Sequence, residues 1–217
     1  NVYGTQNLVE ACLDKGVKIA VAVGTDKAVS PLNTYGATKL LMEREFISAN
    51  FSRGTRKTKF LCVRYGNVLG SRGSVAPIFV NQVTSKKNIT ITDPTMTRFN
   101  ITMNQALDLI MYAIKYGDGG EVFIPKLKAY KLADMKDAII NIMNVKPKVE
   151  KISVRPGEKF HESLINLDEM LTTYETKNHY ILFTKQRKKQ ILPKIPGIKK
   201  TKRQEPYSSN KVELLTI

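Results

Sequence analysis

Tyr35 and Lys39 stand four residues apart, with Thr25, Asp26 and Lys27 shortly upstream, in the stretch VGTDKAVSPLNTYGATK. On a helix, positions i and i+4 share one face. A phenol alone is a poor base at neutral pH, since it titrates near ~10. A Lys ammonium one turn away stabilises the phenolate. A phenolate so placed can take a proton from an alcohol or sugar hydroxyl while hydride leaves the same carbon. The adjacent Asp26 and Lys27 supply a carboxyl and an amine at one point of the chain. Desolvation drives the first towards its protonated form and the second towards its neutral form, as an acid and base pair requires. A plain surface helix accounts equally well for an isolated Tyr-x-x-x-Lys, and an ion pair at a strand end accounts for Asp-Lys. The apolar run ending in Thr25, directly before them, is what favours chemistry.

The surrounding pattern supplies the elements that would position these groups. Residues 1–15 have apolar positions at helical spacing and close on Gly16. VKIAVAVG, 17–24, is a continuous β-branched run and reads as a strand buried on both faces of a parallel sheet. A helix is expected from about Thr34 to Asn50, and KFLCVRY, 59–65, reads as a second buried strand. Strand, helix and strand at this spacing make a right-handed βαβ unit. Ligands of such sheets bind beyond the carboxyl ends of the strands, where Thr25, Asp26, Lys27 and Asn67 would fall. After Gly66 the elements shorten: a helix after GSRGSV, a strand at NITIT, helices at MNQALDLIMYAIKY and LADMKDAIINIM, and strands at EVFIP and VEKISV. The stripe of Met103, Ala106, Leu107, Ile110, Met111 and Ile114 is expected to be core.

Composition narrows the class. Hydrophobic content of 42% and charged content of 25% are ordinary globular values. No apolar run approaches the ~20 residues of a membrane helix, and the amino terminus does not read as a signal peptide. Cys12 and Cys62 sit in apolar contexts and read as buried hydrophobes, which fits a reducing cytoplasm, the expected location. His161 and His179 have no partners at metal-ligand spacing, so no metal is expected. The net charge of +16 is concentrated in Lys185–Arg203, with nine Lys or Arg and no acid. Without interleaved aromatics or a nucleic-acid motif this run reads as a solvated segment, and no nucleic-acid partner is expected.

Five motifs in order, GTDKAVSPLNTYGATK, RYGNVLGSRGSVAPIF, DPTMTRFNIT, GGEVFIPK and RPGEKFHE, resemble the inverting UDP-N-acetylglucosamine 4,6-dehydratases. These belong to the polysaccharide-biosynthesis family of the extended short-chain dehydrogenase/reductases. The resemblance covers residues 1–183, with an echo at EPYSSNKVELLTI. It implies an α/β fold: part of an NAD(P)-binding Rossmann-like doubly wound parallel sheet, with a smaller C-terminal substrate-binding region. Residues 1–75 would belong to the core, with some later elements returning to it, 76–183 to mixed core and cap, and 184–217 to a basic, mostly irregular tail. It implies NADP (or NAD) as cofactor, UDP-N-acetylglucosamine as substrate, and a homo-oligomer for the full-length protein.

By that resemblance Thr25, Tyr35 and Lys39 are the redox triad. Asp26 is the acid at the sugar C6 hydroxyl and Lys27 the base at C5. Tyr35, Lys39, Tyr65 and Asn67 lie at the cofactor, while Asn67, Arg98, Arg155 and Glu158 lie at the substrate. Arg98 and Arg155 suit a diphosphate because guanidinium forks match phosphate oxygens. Gly24 replaces a Ser common in the family, a change expected to cost little. No glycine-rich phosphate loop occurs in the 217 residues, so the chain reads as a fragment, expected to bind NADP weakly and to be inactive alone. A UDP-sugar 4-epimerase of the same superfamily and a non-catalytic binding module are the competing readings.

Overall fold

The computed structural model describes residues 1–183 and 194–215. In chain order the elements are α1 (Tyr3–Asp14), β1 (Ile19–Val23), α2 (Thr34–Ser52), β2 (Lys59–Val63), β3 (Asn67–Val68), α3 (Val75–Thr84), β4 (Ile89–Ile91), β5 (Thr97–Ile101) and α4 (Met103–Tyr116). There follow β6 (Glu121–Pro125), β7 (Ala129–Lys131), α5 (Leu132–Met143), β8 (Val149–Lys151), β9 (Ser163–Ile165), α6 (Leu167–Met170), β10 (Thr173–Glu175), β11 (His179–Phe183), β12 (Lys199–Lys200) and β13 (Tyr207–Ser208). They form two compact units that interleave along the chain: 1–65, 104–126 and 163–207 in one, and 66–103, 127–162 and 208–217 in the other. The chain leaves the first unit at Gly66 and returns to it twice.

The first unit is built on a sheet of order β1-β2-β6-β11-β10-β12. Strands β1, β2 and β6 run parallel, while β11, β10 and β12 alternate antiparallel beyond them. Helix α2 crosses between β1 and β2 as the expected βαβ connection, seating Phe46 edge-on to Phe60 at 5.5 Å. Leu61, Val63, Phe123, Ile181 and Phe183 from the sheet pack with Leu109 and Ala113 of α4.

Two expectations need correction here. Strand β1 is only half-buried, because among the described residues it has a neighbour on one side only; Val23 is 41% exposed. Helix α4 turns Ala106, Leu109 and Ala113 inward, while Met103, Leu107 and Met111 are each more than half exposed. Small residues let that helix lie close to the sheet, so the large apolar stripe is not its core face. The segment beyond 184, expected to be mostly irregular, contributes two short strands, β12 and β13. Residues 184–193 lie outside the described ones, but Lys199–Lys200 pairs with Glu175 and Tyr174 as the outer strand of the sheet.

The second unit holds a sheet of order β3-β5-β7 and the parallel pair β4-β8. Helices α3 and α5 close over the pair, with Phe79, Ile89 and Ile139 at their contact. The final segment joins this unit: Ala129 N–H donates to Glu213 O (3.1 Å) and Leu215 N–H to Ala129 O (2.7 Å).

Candidate active site

Strand β1 ends at Val23, and Gly24 carries the chain over the end of β2. Gly24 N–H donates to Val63 O at 2.7 Å. A Cβ at Gly24 would lie 2.9 Å from that carbonyl, so in this chain the missing side chain serves the close approach of two backbones. Thr25 then caps a 3-10 turn at Asp26–Ala28, its Oγ1 accepting from Lys27 N–H. The Thr25 hydroxyl donates to Asp26 Oδ1 at 2.9 Å, and Lys27 Nζ donates to the same oxygen at 3.0 Å. Asp26 N–H donates to Tyr65 O at 3.1 Å. The carboxylate is fully buried, and among the described residues its second oxygen, Oδ2, has no hydrogen-bond partner. The Lys27 side chain is 35% exposed. The amine is therefore the more exposed member of the pair.

Asn33 starts α2 by accepting from Gly36 N–H at 2.9 Å. A Cβ on Gly36 would sit 2.3 Å from Lys27 O, so glycine is what lets the first turn of α2 lie against the Asp26–Ala28 turn. Tyr35, beside it, is 51% exposed. One turn on, Lys39 Nζ donates to Val23 O at 3.4 Å, fixed at the end of β1. Thr25, Asp26, Lys27, Tyr35 and Lys39 thus gather at the carboxyl end of the parallel strands, where the sequence put them. Tyr65 gives this site its carbonyl, while its ring packs on the core and burial pushes its phenol up from the usual range.

A buried charge cluster beneath the site was not legible beforehand. Arg64, at the end of β2, is fully buried. Its guanidinium donates to Glu43 Oε2 (3.0 Å) and Oε1 (2.5 Å), to Glu169 Oε2 and Oε1 (both 2.9 Å), and to Leu164 O (2.8 Å). Each of its N–H donors is thereby used. Burial opposes its charge, but Glu43 and Glu169 outweigh that and hold it charged. Against burial in turn, Arg64 and then the Asn166 N–H hold the Glu169 carboxyl below its usual range. Glu43 lies one turn past Lys39, so the cluster locks α2 to β2. The only sequence signal was an Arg directly after an apolar strand and a Glu at i+4 from Lys39.

The second unit holds the remaining expected residues. Asn67 on β3 is in register with Asn100 on β5. Arg98 on β5 is buried and donates to Thr97 O (2.9 Å), Phe160 O (3.0 Å) and Glu158 Oε1 (3.3 Å). Glu158 Oε2 accepts from Arg155 N–H at 3.3 Å, and Arg155 itself is exposed. Arg98 and Glu158 are therefore engaged with each other and with the 155–160 loop, while Arg155 is the guanidinium open to solvent. Beside them, the Thr97 hydroxyl lies 2.8 Å from His161 Nδ1 and 2.7 Å from Ser209 Oγ, clipping the final segment to β5.

At the strand end, then, a phenol and an ammonium share a helix face next to a carboxylate and amine pair. Together these can move protons to and from neighbouring positions of a polyhydroxylated substrate. Among the described residues no cluster of His, Cys, Asp or Glu could hold a metal ion, and no helix is long and apolar enough to cross a membrane.

Comparison with known proteins identifies the family. The profile of a family described as "Polysaccharide biosynthesis protein" matches residues 1–184. A UDP-N-acetylglucosamine 4,6-dehydratase (inverting) of Campylobacter jejuni is 42% identical over 183 residues, covering 84% of this chain and 54% of that protein. A UDP-glucose 4-epimerase of Rickettsia rickettsii is 38% identical over 180 residues, covering 83% of this chain and 53% of that protein. The solved structure of Pen from Bacillus thuringiensis is 38% identical with a TM-score of 0.91, covering 99% of this chain and 64% of that one. The chain spans about half the length of the curated relatives it matches.

Proposed function

The chain belongs to the polysaccharide biosynthesis protein family, and from that premise we propose that it carries the acid–base machinery of a nucleotide-sugar 4,6-dehydratase acting on UDP-N-acetylglucosamine. The observation that carries this reading is the Asp26–Lys27 pair, joined at 3.0 Å at the carboxyl end of β1 beside the helix of Tyr35 and Lys39. Tyr35, as phenolate, takes the proton of the C4 hydroxyl, with Lys39 compensating its charge. The 4-ketone acidifies the C5 hydrogen, which the Lys27 amine removes. Asp26, through Oδ2, gives its proton to the departing C6 hydroxyl. The hydrogen taken from C4 returns at C6, and the Lys27 ammonium, whose protons exchange with solvent, returns a proton to C5, so that the net change is loss of water. Asp26 meets the sugar only when Oδ2 is uncovered. Its contact with Lys27 also serves to aim that amine.

The residues present fit a nicotinamide. Lys39 is fixed at Val23 O, and Val23 presents an apolar, part-exposed surface at the last position of β1, as a flat ring needs. Tyr35, Lys39, Tyr65 and Asn67 are the residues proposed to hold it. A bound NADP supplies the hydride acceptor, with NAD the alternative that a cofactor-preference assay would reveal. Arg155, the exposed guanidinium, is the better candidate for the UDP diphosphate. Arg98 and Glu158 shape its loop. The cytoplasm is the proposed location, and a homo-oligomer the proposed state of the whole protein.

The Rickettsia relative favours a second reading, a UDP-sugar 4-epimerase, which needs neither a C5 base nor a C6 acid. Lys27→Ala in the product of the complete reading frame discriminates. The dehydratase reading expects loss of the 4-keto-6-deoxy product with C4 oxidation still measurable. Unchanged dehydration in that variant removes Lys27 from its role. Calorimetry of the 217-residue chain with NADP is expected to give weak binding, since its sequence contains no glycine-rich phosphate loop. Tight binding would refute that expectation.

A further inference from the structure

The amino ends of β1 and β2 carry a group of donors that the proposed chemistry does not use. The loop RGTRKTK, 53–59, joins α2 to β2. All of it but Thr58 lines an open cleft of about 650 Å³, floored by Asn50 and Phe51 and with Asp118 on its wall. Lys18, Arg56, Lys57, Thr58 and Lys59 line an adjoining recess. Both lie at the opposite end of the parallel strands from Asp26 and Lys39.

Three observations set this cleft apart from scattered surface charge. First, cations outnumber the carboxylates that answer them. Arg56 pairs with Asp14 at 3.9 Å and Lys59 with Asp118 at 3.2 Å, while Lys18 and Lys57 pair with none among the described residues. The carboxyl end of α2 draws a cation, but Arg53, at its cap, already stands there. Second, the walls are held in place. The Arg53 guanidinium donates to Thr58 O, Lys59 Nζ donates to Gly117 O (3.4 Å), and Gly54 at φ 63° makes the turn between them. Third, Thr58, which lines the adjoining recess, is 2% exposed, yet among the described residues its hydroxyl has no hydrogen-bond partner. A buried hydroxyl left unpaired is costly, and a ligand oxygen would satisfy it.

We propose that the cleft and the recess it adjoins bind a phosphate-bearing anion, with Arg56 and Lys57, which line both, as its exposed cations, Arg53 and Lys59 as fixed walls, and the Thr58 hydroxyl on the recess side as a donor. Guanidinium and ammonium groups suit phosphate oxygens, which take several charge-assisted bonds at once. The phosphate belongs either to a free compound or to a lipid headgroup; the recognising chemistry is the same.

The test uses the 217-residue chain with two probes. Inorganic pyrophosphate is titrated by calorimetry, and vesicles of phosphatidylcholine with and without phosphatidylglycerol are sedimented with the protein. Saturable pyrophosphate binding that weakens with added salt identifies a free anion. Retention on the anionic vesicles alone identifies a headgroup. In the double variant Arg56→Gln, Lys57→Gln, the responding arm is expected to weaken by roughly tenfold or more, as loss of two charge-assisted contacts implies. A control pair on the second unit, Lys86→Gln, Lys87→Gln, is expected to leave it unchanged. Thr58→Val keeps the buried shape and removes the hydroxyl, and is expected to weaken binding several-fold. No response in either arm, or equal losses in site and control variants, overturns the proposal. Neither arm reads catalysis, so the result is independent of the dehydratase reading.

Discussion

Glu43→Gln would test the buried cluster that ties the helix of Tyr35 and Lys39 to the sheet. The substitution keeps the shape of the side chain and removes its charge. Arg64 would retain Glu169 and Leu164 O but face an amide in place of the carboxylate now 3.0 and 2.5 Å from its Nε and Nη2. One of those two contacts then sets N–H against N–H and cannot form. Breaking one partner of a fully buried pair costs ~3–5 kcal/mol, against ~0–1 kcal/mol for an exposed pair. In a chain of this size 1 kcal/mol moves the midpoint by ~2–4 °C. A fall of roughly 10 °C is therefore expected for the first unit, read by far-ultraviolet circular dichroism. Adding Arg64→Met together with Glu169→Gln should restore part of the loss, because removing all three charges is less costly than stranding one. A shift under ~2 °C for Glu43→Gln, or no recovery in the triple variant, would show that the guanidinium is not desolvated as described.

Two further outcomes follow from packing and titration. Gly36→Ala places a Cβ where Lys27 O lies at 2.3 Å, so α2 must move from the Asp26–Ala28 turn. A loss of ~1–3 kcal/mol in urea unfolding is expected, and an unchanged midpoint would contradict the close approach. His161 and His179 are both held below the ordinary 6.5, His161 by burial and then Arg98, His179 by burial and then Lys126. Unfolded histidines take up protons that these resist. The stability they contribute is therefore complete above ~6.5 and lost as pH falls through the lower folded values. Thermal midpoints should decline on acidification, and His179→Phe, which keeps an aromatic ring against Tyr112, should flatten part of that decline. An identical slope in the variant would remove His179 from the account.

Much of the site's placement was legible in the sequence because it is local. An apolar β-branched run, a Thr and an Asp-Lys at its end, and a capped helix carrying Tyr and Lys at i and i+4 all lie within one βαβ unit. What was missed depends on residues far apart in the chain. Arg64 finds Glu169 more than a hundred positions away, and Lys199–Lys200 joins β10 without any apolar period to announce it. Helix α4 was misjudged for a different reason. Its hydrophobic stripe is real, but the sheet selects Ala106 and Ala113 for close contact and leaves Met103, Leu107 and Met111 outside. Arg98 was placed at the substrate by its motif and residue type, and its burial against Phe160 O and Glu158 appears only in three dimensions.

The central claim is that Asp26 and Lys27 turn a C4 oxidation into loss of water. Solvent deuterium tests it most directly. The product of the complete reading frame is incubated with UDP-N-acetylglucosamine and NADP in deuterium oxide, and the sugar is read by proton NMR and mass spectrometry. The account predicts a 4-keto-6-deoxy sugar that has lost water and carries solvent deuterium at C5, with both features lost in Lys27→Ala. A C4-epimerised sugar that retains its C6 hydroxyl and carries no deuterium at C5 would contradict it.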